Sequence, residues 1–157
     1  MAVETLPACE VSELIEPEQE LLDEIKRIEA RVFPKDHLDE WMLRPLSKHG
    51  KIFVLYYQDQ VAGVSELMAD WDDPYKTYMY GFYIREEFQG EGLGSYFMEE
   101  VLDSLADEGL RRVELTVDPF NEPACHIYID KIGFEVEAYK EDYFGEGEDR
   151  LLLSKEI

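Results

Sequence analysis

Tyr78–Gly109 reads YMYGFYIREEFQGEGLGSYFMEEVLDSLADEG, and its order of strand, glycine turn and helix decides the fold. Tyr78 to Ile84 is aromatic and β-branched enough for a buried strand. Gln89-Gly90-Glu91-Gly92-Leu93-Gly94 follows, with no side chain at Gly90, Gly92 or Gly94. From Leu93 the apolar residues recur at Phe97, Val101, Leu102 and Leu105. That is helical spacing, and Glu99, Glu100, Asp103 and Asp107 fall on the other face. Gly109 is a natural stop for this helix. Glycines ahead of a helix let backbone N–H groups point at one spot, where the helix dipole also favours an anion. The stretch therefore reads as a phosphate cradle. It is neither a dinucleotide fingerprint nor a P-loop, because no Lys-Ser/Thr pair follows to hold a β,γ-phosphate and magnesium.

The elements around it extend the pattern. Ala8 to Ile15 suits a short strand, and Pro17 opens a helix to about Val32 on Leu21, Leu22, Ile25, Ile28 and Ala30, ended by Phe33-Pro34. Leu38 to Leu46 is a second short helix or irregular segment. Lys51 to Tyr57 and Val61 to Met68 are strands joined by Gln58-Asp59-Gln60, and Tyr75 to Ile84 completes an antiparallel meander. After the long helix, Arg112 to Val117 returns as a strand, and such a crossover places it parallel to its predecessor. Asn121 caps a further helix with Pro123 in its first turn, running to about Lys131 and stopping at Gly133. Phe134 to Tyr139 and Arg150 to Ser154 are the last strands, around an acidic loop. Mixed strands and helices without a linker or repeat read as a single α/β layered domain over residues 1–157.

Composition narrows the function. The chain has 157 residues and is 45% hydrophobic, enough for a substantial core. No apolar run approaches the ~20 residues of a membrane helix. The N-terminus MAVETLPACEVSELIEPEQE has neither an early positive charge nor a signal-peptide core. Cys9 and Cys125 form no disulfide framework, and with His37, His49 and His126 they show no metal-ligand spacing. The cytoplasm is the expected location, with no metal, no membrane and no nucleic-acid partner. A net charge of −22 repels phosphate backbones and attracts cations such as amines, polyamines and basic peptides. The same acidity also serves solubility, or a salty cytoplasm.

A second constellation is Asn121, Ala124, Tyr128, Gly133 and Phe134. The first three are spaced by three and four and share a helix face that offers an amide, a small residue and a phenol. Together, Gln89-x-x-Gly92-x-Gly94 and N-x-x-A-x-x-x-Y-x-x-x-x-G-F resemble the two motifs of the GNAT superfamily of N-acetyltransferases, over about Tyr78 to Tyr139. One extra residue precedes Gly133, a departure that a longer last turn accommodates. Tyr143-Phe144-Gly145-Glu146-Gly147-Glu148-Asp149 resembles a segment of the ribosomal-protein type of N-terminal acetyltransferase.

The resemblance implies a mostly antiparallel, mixed central sheet with helices on both faces, whose splayed parallel strand pair holds acyl-CoA. It implies acetyl-CoA as co-substrate and direct transfer to a primary amine through a tetrahedral intermediate. Gly90, Gly92, Leu93, Gly94 and Ser95 would hold the pyrophosphate with Gln89 in support. Phe82, Tyr83 and Ile84 would meet the pantetheine, and Asn121 and Ala124 would position the coenzyme. Tyr128 would protonate the departing thiolate. A Glu is often found where Thr116 stands, so the general base is left among Glu114, Glu66, Tyr83 and a water chain. Glu86, Glu87 and Glu91 oppose an anionic ligand, with Arg85, Arg111 and Lys131 as nearby cations. Cys125 lacks the His/Asn partners of a nucleophile, which direct transfer does not need. The acceptor is a peptide or protein amine or a small cationic amine, served by a monomer or homodimer. A non-catalytic acyl-CoA-binding domain is the alternative of a different class.

Overall fold

A computed structural model describes residues 8–157; the first seven positions of the N-terminal reading lie outside the described residues. Among the described residues the order is β1 (Cys9–Glu13), α1 (Gln19–Val32), α2 (Glu40–His49), β2 (Lys51–Tyr57), β3 (Gln60–Ala69), β4 (Lys76–Ile84), a 3-10 turn (Glu86–Phe88), α3 (Leu93–Asp107), β5 (Arg112–Val117), α4 (Glu122–Cys125) continuing as a π-helix (His126–Ile132), β6 (Glu135–Lys140) and β7 (Arg150–Glu156). The strands form one mixed sheet in the order β1-β2-β3-β4-β5-β7-β6. The pair β4–β5 is parallel, and β1–β2, β2–β3, β5–β7 and β6–β7 are antiparallel. This is the α/β class with a parallel pair that the motifs imply. The chain gathers into two compact units, one of residues up to Leu67 with Gly81–Leu93, the other Met68–Tyr80 with Gly94–Ile157.

In the first unit, α1 and α2 cover β1, β2 and β3. Leu22, Ile25 and Ile28 of α1 and Leu43 of α2 join Ile52, Val54, Val64 and Tyr83 in one apolar cluster. Gln58 and Asp59 turn β2 into β3 with φ of 52° and 61°, the left-handed pair that matches strand twist in a two-residue hairpin. The helix α2 is capped by Asp39, whose Oδ1 accepts from the Trp41 N–H at 3.0 Å. It runs past Pro45 to His49, further than the Leu46 limit read from sequence. Proline removes a single ladder bond there, and the helix stops at Gly50 instead.

In the second unit, α3 buries Phe97, Met98, Val101 and Leu105 and exposes Glu99, Glu100, Asp103 and Asp107. These are the faces its periodicity predicts. The parallel ladder runs from Lys76↔Arg112 to Met79↔Leu115, and β4 continues beyond it to Ile84. The extra residue before Gly133 is accommodated by π-helical winding. The Gly133 N–H bonds to Tyr128 O, five residues back, at 3.0 Å, and Gly133 takes φ of 92° to end the helix.

Candidate active site

The glycine loop belongs to the first unit as far as Leu93. Gly90 and Gly92 have φ of 85° and 77°, and a Cβ built on either would meet nothing within 4 Å. Their backbone is therefore both left-handed, which other residues rarely adopt, and open to a ligand. Gln89 braces the loop by donating from Nε2 to Ile84 O at 2.9 Å. No acidic side chain occupies the first turn of α3. The N–H groups of this loop and helix start suit an anionic group such as a pyrophosphate.

Of the three glutamates that oppose an anion, Glu87 and Glu91 are engaged by neighbouring side chains. Glu87 pairs with Arg85 at 2.6 Å. Glu91 accepts a hydrogen bond from the Tyr57 phenol, and that bond is the main reason the phenol titrates above its ordinary value. Arg85 also donates to Val61 O at 3.0 Å and lies 5.6 Å from the Phe88 ring centroid. A cavity of about 440 Å³ is lined by Ile28, Arg31, Val32, Ile84, Arg85, Glu86, Glu87 and Gln89. Arg31 thus joins Arg85 as a cation beside the loop, and the sequence reading missed it. Of the other two cations it named, both in the second unit, Arg111 stacks 5.0 Å from the Tyr75 ring centroid. Lys131 lines a separate cavity with α3 residues and the last residues of the chain.

Three polar side chains of this unit are buried with an atom that has no hydrogen-bond partner among the described residues: Glu29 Oε1, Glu66 Oε1 and the Tyr83 hydroxyl. Glu29 is 1% exposed, Glu66 2% and Tyr83 5%. Burial pushes Glu29 up to about 7, against the opposing Leu38 N–H bond to its carboxylate. Burial, reinforced by the Glu29 charge, drives the Tyr83 phenol far above its usual range. Burial thus favours the neutral phenol at Tyr83. Its ring packs edge-on against Phe33 at 5.8 Å, while Phe82 and Ile84 are half-buried on the same strand. Glu29 escaped the sequence reading although it stands seven residues after Leu22, on the buried stripe of α1. A charge at a core position was the available signal.

In the second unit, Tyr128 is 9% exposed on the π-helix. Burial, with a smaller effect from Cys125, raises its phenol well above the ordinary value, so it carries its proton at neutral pH. Asn121 is the helix cap, its Oδ1 accepting from the Ala124 N–H at 3.2 Å. Gly94 and Ser95 open α3 and are half-buried, as is Ala124. Glu114 is engaged by two cations, Lys76 at 3.5 Å and Arg112 at 3.4 Å. Its face-mate Thr116 shares a hydrogen bond of 2.9 Å with the hydroxyl of Tyr78, a second residue missed by sequence reasoning. The Cys125 thiol is raised chiefly by burial, which keeps it neutral and weakly nucleophilic. Among the described residues no group of three or more His, Cys, Asp or Glu can hold a metal, and no helix is long and apolar enough to cross a membrane.

The loop between β6 and β7 is ordered by its own acids. Asp149 accepts from the Asp142 N–H at 2.8 Å and from the Tyr139 hydroxyl, and Asp142 accepts from the Gly147 N–H at 2.7 Å. Tyr143 and Phe144 stack edge-on at 4.7 Å and are 49% and 58% exposed. Arg150 lies 5.0 Å from the centroid of the Phe144 ring.

Residues 19–134 match the model of the acetyltransferase (GNAT) family. No curated protein matches the chain by sequence. Among solved structures, Ard1 from Thermoplasma volcanium is similar with a TM-score of 0.81 at 18% identity, over 96% of this chain and 98% of that one. The ribosomal-protein-S18-alanine N-acetyltransferase of Escherichia coli is similar at 0.79 and 20%, over 96% and 94% of the two chains. Arabidopsis thaliana Naa50, in complex with the bisubstrate analogue CoA-Ac-MVNAL, is similar at 0.76 and 21%, over 94% and 99%. At these identities the likeness is one of fold.

Proposed function

The chain belongs to the acetyltransferase (GNAT) family and is an acetyl-CoA-dependent N-acetyltransferase, and from that premise we propose that it acetylates the primary amine of a peptide or protein by direct transfer. The observation that carries the coenzyme reading is the open glycine loop, with left-handed backbone at Gly90 and Gly92 and unfilled space beside both. The main-chain N–H groups of Gly90, Gly92, Leu93, Gly94 and Ser95 hold the pyrophosphate, with Gln89 as brace. Arg31 and Arg85 supply the positive charge that this acidic loop otherwise lacks. Phe82, Tyr83 and Ile84 lie where β4 has run beyond its parallel ladder, and their main chain holds the pantetheine. Asn121 and Ala124 present the start of α4 to the coenzyme.

Acetyl-CoA supplies an acyl group activated as a thioester. The amine nitrogen must be deprotonated to attack, because a lysine amine has a pKa of ~10.4 and an α-amine one of ~8. Its lone pair forms the C–N bond while the C–S bond breaks and that pair passes to sulfur. Tyr128, held protonated by burial, gives its proton to that sulfur as general acid. The nitrogen then loses its second proton, which restores the Tyr128 hydroxyl. Two observations favour a peptide over a small amine. The aromatic pair Tyr143–Phe144 is exposed on a braced loop. Among fold relatives, one structure contains a CoA–peptide bisubstrate analogue and another is named for a ribosomal-protein alanine.

The test is incubation with labelled acetyl-CoA and a panel: a peptide with a free N-terminus, an N-terminally blocked peptide carrying one lysine, and spermidine. Acetylation of either peptide well above spermidine is the expected result, and spermidine alone reacting would refute the peptide reading. Gly92→Asp adds a Cβ at a φ of 77° and a charge where an anion must approach. Unchanged coenzyme affinity by calorimetry in that variant would overturn the loop assignment.

A further inference from the structure

The carboxyl of Glu66 is out of place by the ordinary rules of a core. It stands on β3 opposite Ile52 of β2, and it is 2% exposed. Its Oε1 has no hydrogen-bond partner among the described residues. Buried carboxylates are nearly always paired or hydrogen-bonded, and one left short calls for an explanation in strain, catalysis or a bound group. The neighbouring strand is built around it. A Cβ added to Gly81 of β4 would lie 2.3 Å from Glu66 Oε2, and its three nearest atoms all belong to Glu66. The carboxyl therefore fills the place a side chain of β4 would take. It rests on the backbone immediately before Phe82, Tyr83 and Ile84, whose main chain faces the coenzyme in the reading above. Neither Ile52 nor Gly81 titrates, and the other buried acids of this unit are Glu29, Tyr57 and Tyr83. Of the candidate bases, Glu114 is taken by two cations and the phenol of Tyr83 is held protonated by burial.

We infer that Glu66 is the carboxylate that receives the acceptor's ammonium group and takes its proton. This rests on the acetyltransferase reading of the site. Glu66 as carboxylate and R–NH3+ become a neutral carboxyl and R–NH2, with no change of oxidation state, and the proton passes to solvent after transfer. The unpartnered oxygen finds its donor in the substrate. Gly81 is glycine because the acid needs the space, since its φ lies outside the left-handed region.

The experiment compares the full chain with Glu66→Gln and Gly81→Ala on the peptide and spermidine panel with acetyl-CoA, from pH 6.5 to 10. Calorimetry with coenzyme A and thermal melts serve as controls. In Glu66→Gln, kcat/KM at pH 7 should fall ~10²-fold or more, the usual scale for a lost base. Coenzyme affinity should hold. The deficit should shrink about tenfold per pH unit as the amine's own pKa is approached, because the solvent then removes the proton instead. Gly81→Ala displaces only the far end of a flexible side chain, so it should fold normally and show the same pH-dependent deficit. The double variant should be no worse than either single one. A Glu66→Gln deficit that stays constant with pH, or a Gly81→Ala enzyme with full activity at pH 7, would overturn the inference while leaving the acetyltransferase reading intact. If both variants fail to melt cooperatively, Glu66 is a folding residue and the inference falls. No transfer by the unaltered chain to any acceptor would overturn the acetyltransferase reading and this inference together.

Discussion

Replacing Glu29 by Gln tests how the core of the first unit is charged. The Glu29 carboxyl is buried on α1, and it titrates at about 7 against an ordinary value of 4.5. Each pKa unit is worth ~1.4 kcal/mol, so ionising Glu29 in the folded chain costs about 3 kcal/mol more than in the unfolded one. The sign follows from the direction of the shift. Below about pH 4.5 both states are protonated and there is no penalty. Between about 4.5 and 7 the unfolded chain ionises while the folded chain resists, and stability drains away. Above about 7 the whole penalty is present. Gln keeps the acceptor for the Leu38 N–H (now 3.1 Å from Glu29 Oε2) and cannot ionise. Its extra N–H groups add an offset that does not depend on pH. Urea unfolding of both proteins from pH 4.5 to 8.5 should therefore show the stability difference, variant minus wild type, growing by about 3 kcal/mol and levelling off above pH 7.5. Other titrating groups cancel in that difference. A difference independent of pH would mean that Glu29 is not held neutral, and the reasoning from its burial would be wrong.

Other consequences are quicker to state. Tyr128→Phe should keep folding and coenzyme affinity and lower kcat ~10²-fold with little change in KM; full activity under single-turnover conditions that isolate chemistry would make Tyr128 a packing residue. If the −22 charge steers a cationic acceptor, kcat/KM should fall as salt rises to physiological strength, where the screening length is ~8 Å, and a flat profile would leave the acidity without that role. Asp149→Asn loses charge-assisted bonds to the Asp142 N–H and the Tyr139 hydroxyl, so hydrogen exchange at Asp142 should accelerate and KM for the peptide should rise with kcat nearly constant. Unchanged exchange at Asp142 would show that the loop is held by other means.

The parts legible in the sequence are those that local physics dictates. Glycines with left-handed backbone, an amide capping a helix and apolar residues at helical spacing are all short-range signals, and each falls where the pattern puts it. Even the extra residue before Gly133 announced itself, because a helix must wind wider to carry one more residue to the same stop. What stayed hidden depends on partners far apart in the chain. Glu66 stands in the sequence as one of several candidate bases, but nothing in VSELM shows that the acid is buried against a glycine on the next strand. Gly81, likewise, has no turn or positive φ to explain it, and only the position of the Glu66 carboxyl does. Arg31 and Arg85 meet across one cavity from segments separated by most of the first unit, and Tyr78 meets Thr116 through the parallel register of β4 and β5. Glu29 lies between these extremes. Its place on the apolar stripe of α1 was readable, and an acid there marks a core that tolerates a proton-sensitive group. The coenzyme reading thus rests on local motifs, while the acids proposed to handle the acceptor are defined by strand pairing and helix packing. The acceptor chemistry is for that reason the part of the function that rests most on the structure.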